Sequence, residues 1–229
     1  GDAEKEKAVS GAFERRGIQP DQGVFAWLLA CFFLSGFAAL LYETAWMRMF
    51  SSVFGTSELA VATVLATYMA GLALGAELAS RFVGKVKRPV LVYGVLELGV
   101  AVGALAVPVG LAITRSVHTA LLGGQTQPPD SGGLLQPLFY LIAAFVVIAI
   151  PTTCMGATLP LLIRHAVRRR EQIGRRVGML YAVNTAGAVC GTIVAAFALL
   201  EHLGLQGTVW AGVAVNAGVF VIALRIVKS

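Results

Sequence analysis

Six apolar runs, each long enough to cross a bilayer, constrain this chain more than any motif it carries. They cover about 24–47, 57–82, 89–113, 137–163, 176–200 and 205–227. Crossing the hydrocarbon takes roughly 18 to 20 apolar residues as a helix. Only helices or closed barrels satisfy backbone hydrogen bonds inside lipid. No ten-residue alternation of the barrel type is present, so the runs read as helices. The expected fold is therefore all-α, a polytopic membrane bundle of about six helices occupying 23–229. Composition agrees. Charged residues make up 13% of the chain and hydrophobic residues 57%, against roughly a quarter charged in soluble domains.

The segments between the runs set the expected orientation. The loop after the second run, SRFVGKVKRP, carries Arg81, Lys85, Lys87 and Arg88. The loop after the fourth, RHAVRRREQIGRR, carries Arg164, Arg168, Arg169, Arg170, Arg175 and Arg176, and Arg225 and Lys228 close the chain. The opposite connections are poor in Lys and Arg: the turn near Glu201 and His202, and the Gly/Pro/Ser-rich stretch 114–133, expected to be an irregular exterior loop, with Arg115 alone. Lys and Arg are retained on the cytoplasmic side, which predicts a multi-pass membrane protein with both termini inside. Residues 1–22 are a polar tail of mixed charge without the pattern of a signal peptide. The net charge of +6 sits in short loops rather than on one soluble face, which argues against nucleic acid as a partner. Cys31, Cys154 and Cys190 lie inside apolar runs without metal-ligand spacing. His118, His165 and His202 are widely separated, and no cofactor is implied. A weak similarity between the two basic loops is compatible with a three-plus-three arrangement.

The stretch SGFAALLYETAWMRMFSSVFGTSELAVATVLATYMAGLALGAELASRF, with PTTCMGATLPLL and GRRVGMLYAVNTAGAVCGTIVAAFALL further on, resembles the membrane half of the fused major-facilitator/spermidine-synthase-like proteins of bacteria. In that family the membrane half is commonly followed by an aminopropyltransferase-like soluble domain. This sequence contains no strand followed by a Gly-rich turn and a helix, so the resemblance carries over no catalytic residue. It implies a connection to polyamines and a soluble synthase-like domain or subunit as partner. Gly75, Arg81, Gly84, Lys85 and Lys87 are also similar to the major-facilitator signature after its second helix. Ser80 holds the place of the Asp, and Gly84 falls one residue late.

Several residues stand out against the apolar background. Glu97 lies about 12 Å into the third run at 1.5 Å per residue; an acid that deep is expensive and faces the bundle interior or a wet cavity. It is either a site for a cation or proton, or a hydrogen-bonded Glu that fixes packing. Glu43, with Arg48 beyond it, is expected within about a turn of the exterior surface. There it either anchors a helix end, with Tyr42 and Trp46 in an interfacial aromatic belt, or forms an acid mouth for a cationic ligand. Glu77 and Arg81, four apart, form an orienting ion pair. Gly71, Gly75, Gly187 and Gly191 have the spacing of close helix packing. Asn184, Thr185 and Asn216 are candidates for interhelical hydrogen bonds, and Asn184 equally for a polar cavity wall. Pro151 should bend the fourth helix; Thr152 and Thr153 can refill the freed carbonyls, and broken helices line transporter sites. Glu97, Glu43, Tyr42, Asn184 and Thr152 are thus the candidate ligand-binding residues. Three functions fit: a membrane domain that anchors, or supplies amine to, a synthase-like partner; a small polyamine or cation transporter or half-transporter, working as a homo-oligomer; and a structural subunit of a larger membrane complex.

Overall fold

The computed structural model describes residues 22–54, 58–121, 135–167 and 173–228. The N-terminal tail, the Thr56–Ser57 cap of the second run, the Pro-rich part of the 114–133 stretch and Arg168, Arg169 and Arg170 lie outside them. Six long helices follow one another: α1 (Gln22–Phe54), α2 (Glu58–Phe82), α3 (Pro89–Leu121), α4 (Leu135–Ala166), α5 (Ile173–His202) and α6 (Gly204–Lys228). All six are long and apolar enough to span a membrane, and no strand occurs among the described residues. The chain is an all-α integral membrane domain.

Two helices run well past the ends of their apolar runs. α1 continues past Met47 to Phe54, and α3 continues past Ile113 to Leu121, so the start of the 114–133 stretch is helix rather than loop. Helical hydrogen bonding does not stop where apolarity stops, which is why periodicity located the helices and misjudged their ends. α4 is likewise uninterrupted through Pro151 and Pro160. Thr152 Oγ1 bonds the carbonyls of Ile148 at 2.6 Å and Ala149 at 3.3 Å, one residue away from the Val147 carbonyl that Pro151 leaves without a donor. In α5 the regular ladder slips into a π-helical turn at Ala195–Leu199, and Gly204, at φ +66°, makes the tight reversal into α6.

One end of the bundle is basic. Lys87 and Arg88 at the start of α3, His165 near the end of α4 and Lys228 at the end of α6 surround one cavity. Arg176 at the start of α5 donates to the Ala166 carbonyl at the end of α4 and lies 4.8 Å over the ring of Phe25 at the start of α1. Both described ends of the chain therefore lie at this end.

The helix interfaces follow a pattern that no single helix reveals. The principal ones are α1·α5, α2·α4, α1·α6, α3·α4 and α3·α6, whereas α2 and α5 form no such interface among the described residues. Exchanging α1 with α4, α2 with α5 and α3 with α6 returns the same set. Helices three apart run in opposite directions, so this is the connectivity of an inverted repeat. The residues agree with it. A Cβ placed on Gly187 would lie 2.0 Å from the Phe33 carbonyl oxygen, and one on Gly75 2.0 Å from that of Thr153. A Cβ on Gly36 would lie 2.2 Å from the Asn184 carbonyl oxygen, and one on Gly156 2.0 Å from that of Leu72. Gly36 and Gly156 hold equivalent places on α1 and α4, as do Gly187 and Gly75 on α5 and α2. The three-plus-three arrangement is present, but inversion carries the basic loop after α2 onto the α5–α6 turn at the opposite end. Resemblance between the two basic loops is not its signature.

Candidate functional site

Two polar features interrupt the apolar interior. The first is a hydrogen-bonded chain across α1, α6 and α3. The Tyr42 hydroxyl donates to Asn216 Oδ1 at 2.8 Å, and Asn216 Nδ2 donates to Glu97 Oε2. All three side chains are essentially inaccessible. Glu97 and Asn216 face each other across α3·α6, the interface that the repeat maps onto itself. Ser35 of α1 and Tyr93 of α3 stand against the same carboxyl group. As placed, Glu97 Oε1 and the Tyr93 hydroxyl have no hydrogen-bond partner, nor does the indole N–H of Trp46. No cation pairs with Glu97 among the described residues, where Glu77 and Arg81 make the one ion pair, 2.6 Å apart on the exposed face of α2. Asn216 Nδ2 is the one described donor bonded to the Glu97 carboxyl group, through Oε2, and Oε1 is left without a partner.

The second feature is a cavity of about 440 Å³ among α1, α2, α4 and α5. It lies where α2 and α5 leave a gap. Glu43 is its single charged residue; Tyr68, Tyr181, Asn184, Ser35 and Thr158 add polar groups, and Phe32, Leu40, Leu72 and Leu159 are among its apolar walls. The Glu43 side chain is 9% exposed and forms no ion pair or hydrogen bond with the described residues. Tyr68 donates to the Ala39 carbonyl at 3.2 Å and lies 3.4 Å from Met155 Sδ. Asn184 Nδ2 donates to the Phe32 carbonyl at 3.0 Å, which leaves its side-chain oxygen for another partner. Ser35 lines the cavity and also touches Glu97, so the two features share a wall.

The residues singled out in the sequence divide between these features. Glu43 and Asn184 share the cavity, and Tyr42 and Glu97 share the chain of hydrogen bonds. Thr152 enters neither: it is fully buried against Gly71, where an added Cβ would lie 1.9 Å from its Oγ1. Gly71, Gly75, Gly187 and Gly191 all lie at helix crossings. Asn184 and Asn216 bond across helices, whereas Thr185 bonds its own helix at Tyr181.

The interfacial reading of Tyr42 and Trp46 is overturned. Both are fully buried and stacked with ring centroids 5.3 Å apart, because other helices cover that face of α1: Tyr42 lies against Gly212 and Asn216 of α6, and Trp46 lies 6.5 Å from Tyr68 of α2. The extension of α1 to Phe54 puts Glu43 about 16 Å from the end of that helix.

Sequence reading missed Ser35, Tyr68, Tyr93 and Tyr181. Their signal was spacing: Phe32, Ser35, Gly36, Ala39, Leu40 and Glu43 recur at three and four residues and hence share one face. Tyr68, Leu72 and Ala76 do the same on α2. Nothing in the spacing says that this face borders a cavity. Among the described residues no group of His, Cys, Asp and Glu side chains could hold a metal ion.

Fold and site together define the class: a six-helix integral membrane domain with an inverted-repeat core, a buried acid–amide network and an acid-lined lateral cavity. Comparison with protein-family models, curated proteins and solved structures finds no match to this chain.

Proposed function

We propose that the cavity between α2 and α5 binds an organic cation of the polyamine type, and that the chain is the membrane domain of a spermidine-synthase-like protein. On this reading it anchors an aminopropyltransferase-like partner or supplies it with amine. The observation that carries the reading is Glu43, a lone carboxylate in an otherwise neutral cavity, with no partner of its own among the described residues. A carboxylate in such surroundings is expensive unless a cation joins it. An alkylammonium ion fits the rest of the lining. Its charge meets Glu43, its N–H groups meet the Asn184 oxygen and the hydroxyls of Ser35 and Thr158, and tyrosine faces and methylene-sized apolar walls take the alkyl segments.

A second reading, a small cation transporter or half-transporter, is supported by the inverted repeat, since transporters place their sites at repeat interfaces. A purely structural subunit would need no such cavity. Orientation with both termini in the cytoplasm is part of the proposal and rests on the basic end of the bundle.

The test is thermal unfolding of the purified chain titrated with spermidine and putrescine. Both should raise the midpoint saturably, and Glu43→Gln should weaken the apparent affinity tenfold or more, about what losing a charged hydrogen bond costs. Equal shifts in the wild type and in Glu43→Gln refute the site.

A further inference from the structure

A group of basic side chains surrounds a second cavity, at the basic end of the bundle, about 530 Å³ in volume. Lys87 and Arg88 enter from the start of α3, Lys228 from the end of α6 and His165 from α4. No acidic side chain lines it among the described residues, and Lys87, Arg88 and Lys228 form no ion pair there. α3 adds its own N-terminus. The N–H of Val92 bonds the Arg88 carbonyl, so the N–H groups of Val90 and Leu91 precede the first intrahelical bond and remain free for an acceptor. The positive end of the helix dipole coincides with them.

The rest of the wall is apolar, with Leu91, Leu224 and Val227 among its side chains. These are the terminal turns of two membrane-spanning helices, at the level where headgroups meet acyl chains. Like-charged groups held together beside an apolar wall call for one ligand that is anionic at one end and greasy at the other.

We infer that this cavity is a binding site for an anionic phospholipid, its phosphate held by Lys87, Arg88, Lys228 and the first amides of α3, its acyl chain lying along Leu91, Leu224 and Val227. A free phosphate would use the cations and leave the apolar wall unused, so the lipid is the better fit. The lipid would bridge the ends of α3 and α6, the pair that holds Glu97 and Asn216. The inference is independent of the polyamine reading, because neither cavity shares a residue with the other.

The experiment uses the full chain, stripped of lipid in a neutral detergent, and follows its unfolding midpoint. Short-chain phosphatidylglycerol is titrated against phosphatidylcholine of the same chain length and against inorganic phosphate. Phosphatidylglycerol should raise the midpoint saturably, and phosphatidylcholine should not. The triple variant K87Q/R88Q/K228Q should bind phosphatidylglycerol about 100-fold more weakly, at roughly fivefold for each cation removed. Lys85→Gln, one charge outside the cavity, should bind as the wild type does. The charge-keeping pair K87R/R88K controls for folding and should retain binding. Inorganic phosphate producing the full shift would overturn the lipid in favour of a free anion. Phosphatidylcholine matching phosphatidylglycerol, or the triple variant matching the wild type, would overturn the site.

Discussion

Replacing Gly187 by alanine tests the helix crossing on which the arrangement depends. A single methyl group is added, and it would sit 2.0 Å from the Phe33 carbonyl oxygen, an atom of the α1 backbone. Ordinary contact needs about 3.4 Å or more. No side-chain rotation relieves the clash, so α1 and α5 must move apart locally. Overpacking of this kind costs about 1–3 kcal/mol. Alanine's better helix propensity returns up to about 1 kcal/mol. Gly218→Ala supplies the reference, since an added Cβ there meets nothing within 4 Å; it should be neutral or slightly stabilising. The assay is equilibrium unfolding in mixed micelles titrated with a denaturing detergent, followed by the fluorescence of the buried Trp46. Gly187→Ala should lie about 1–3 kcal/mol below Gly218→Ala. Gly75→Ala, the equivalent site on α2 against Thr153, should fall by a similar amount. If Gly187→Ala matches Gly218→Ala, the two helices do not approach as closely as described. If Gly75→Ala is neutral while Gly187→Ala is not, the two crossings are not equivalent and the inverted repeat fails as a physical statement.

Asn216→Leu removes the donor to Glu97 and the acceptor for Tyr42 together; unfolding should become easier by about 1–3 kcal/mol, as for stranding buried polar groups, and an unchanged midpoint would mean that the chain of hydrogen bonds is not formed. Tyr42→Phe deletes one interhelical bond and should cost only about 0.6–1.7 kcal/mol by the same assay. Glu77→Gln breaks the exposed pair with Arg81 and should move stability by less than about 0.5 kcal/mol; a larger loss would show that the pair does more than decorate the surface. Single cysteines at Lys85 and at His202, in a background without native cysteines, should label from opposite sides of sealed vesicles, and labelling from one side would break the alternation of α1 to α6.

The solvent of this chain, the number of helices and their rough places were legible in the sequence, because burial in lipid is written into every residue of a span. Gly71, Gly75, Gly187 and Gly191 were legible for the same local reason: a small residue every fourth position makes a flat stripe on a helix whatever lies opposite. Glu43 and Glu97 were conspicuous because an acid in an apolar run is rare. What each acid faces was not legible. Glu97 meets Asn216, which is 119 residues away in sequence, and Glu43 borders a cavity drawn from four helices. Thr152 looked like a cavity residue beside a helix-breaking proline and is packing instead, since α4 does not break. Tyr42 and Trp46 looked interfacial because the apolar run ends near them, but the helix does not. Hydropathy reports what a residue is surrounded by on average. Which helices lie side by side, and therefore where the inverted repeat, the cavity and the hydrogen-bonded acid fall, depends on backbone approach at Gly36, Gly156, Gly75 and Gly187, and those contacts exist only between segments far apart in the chain.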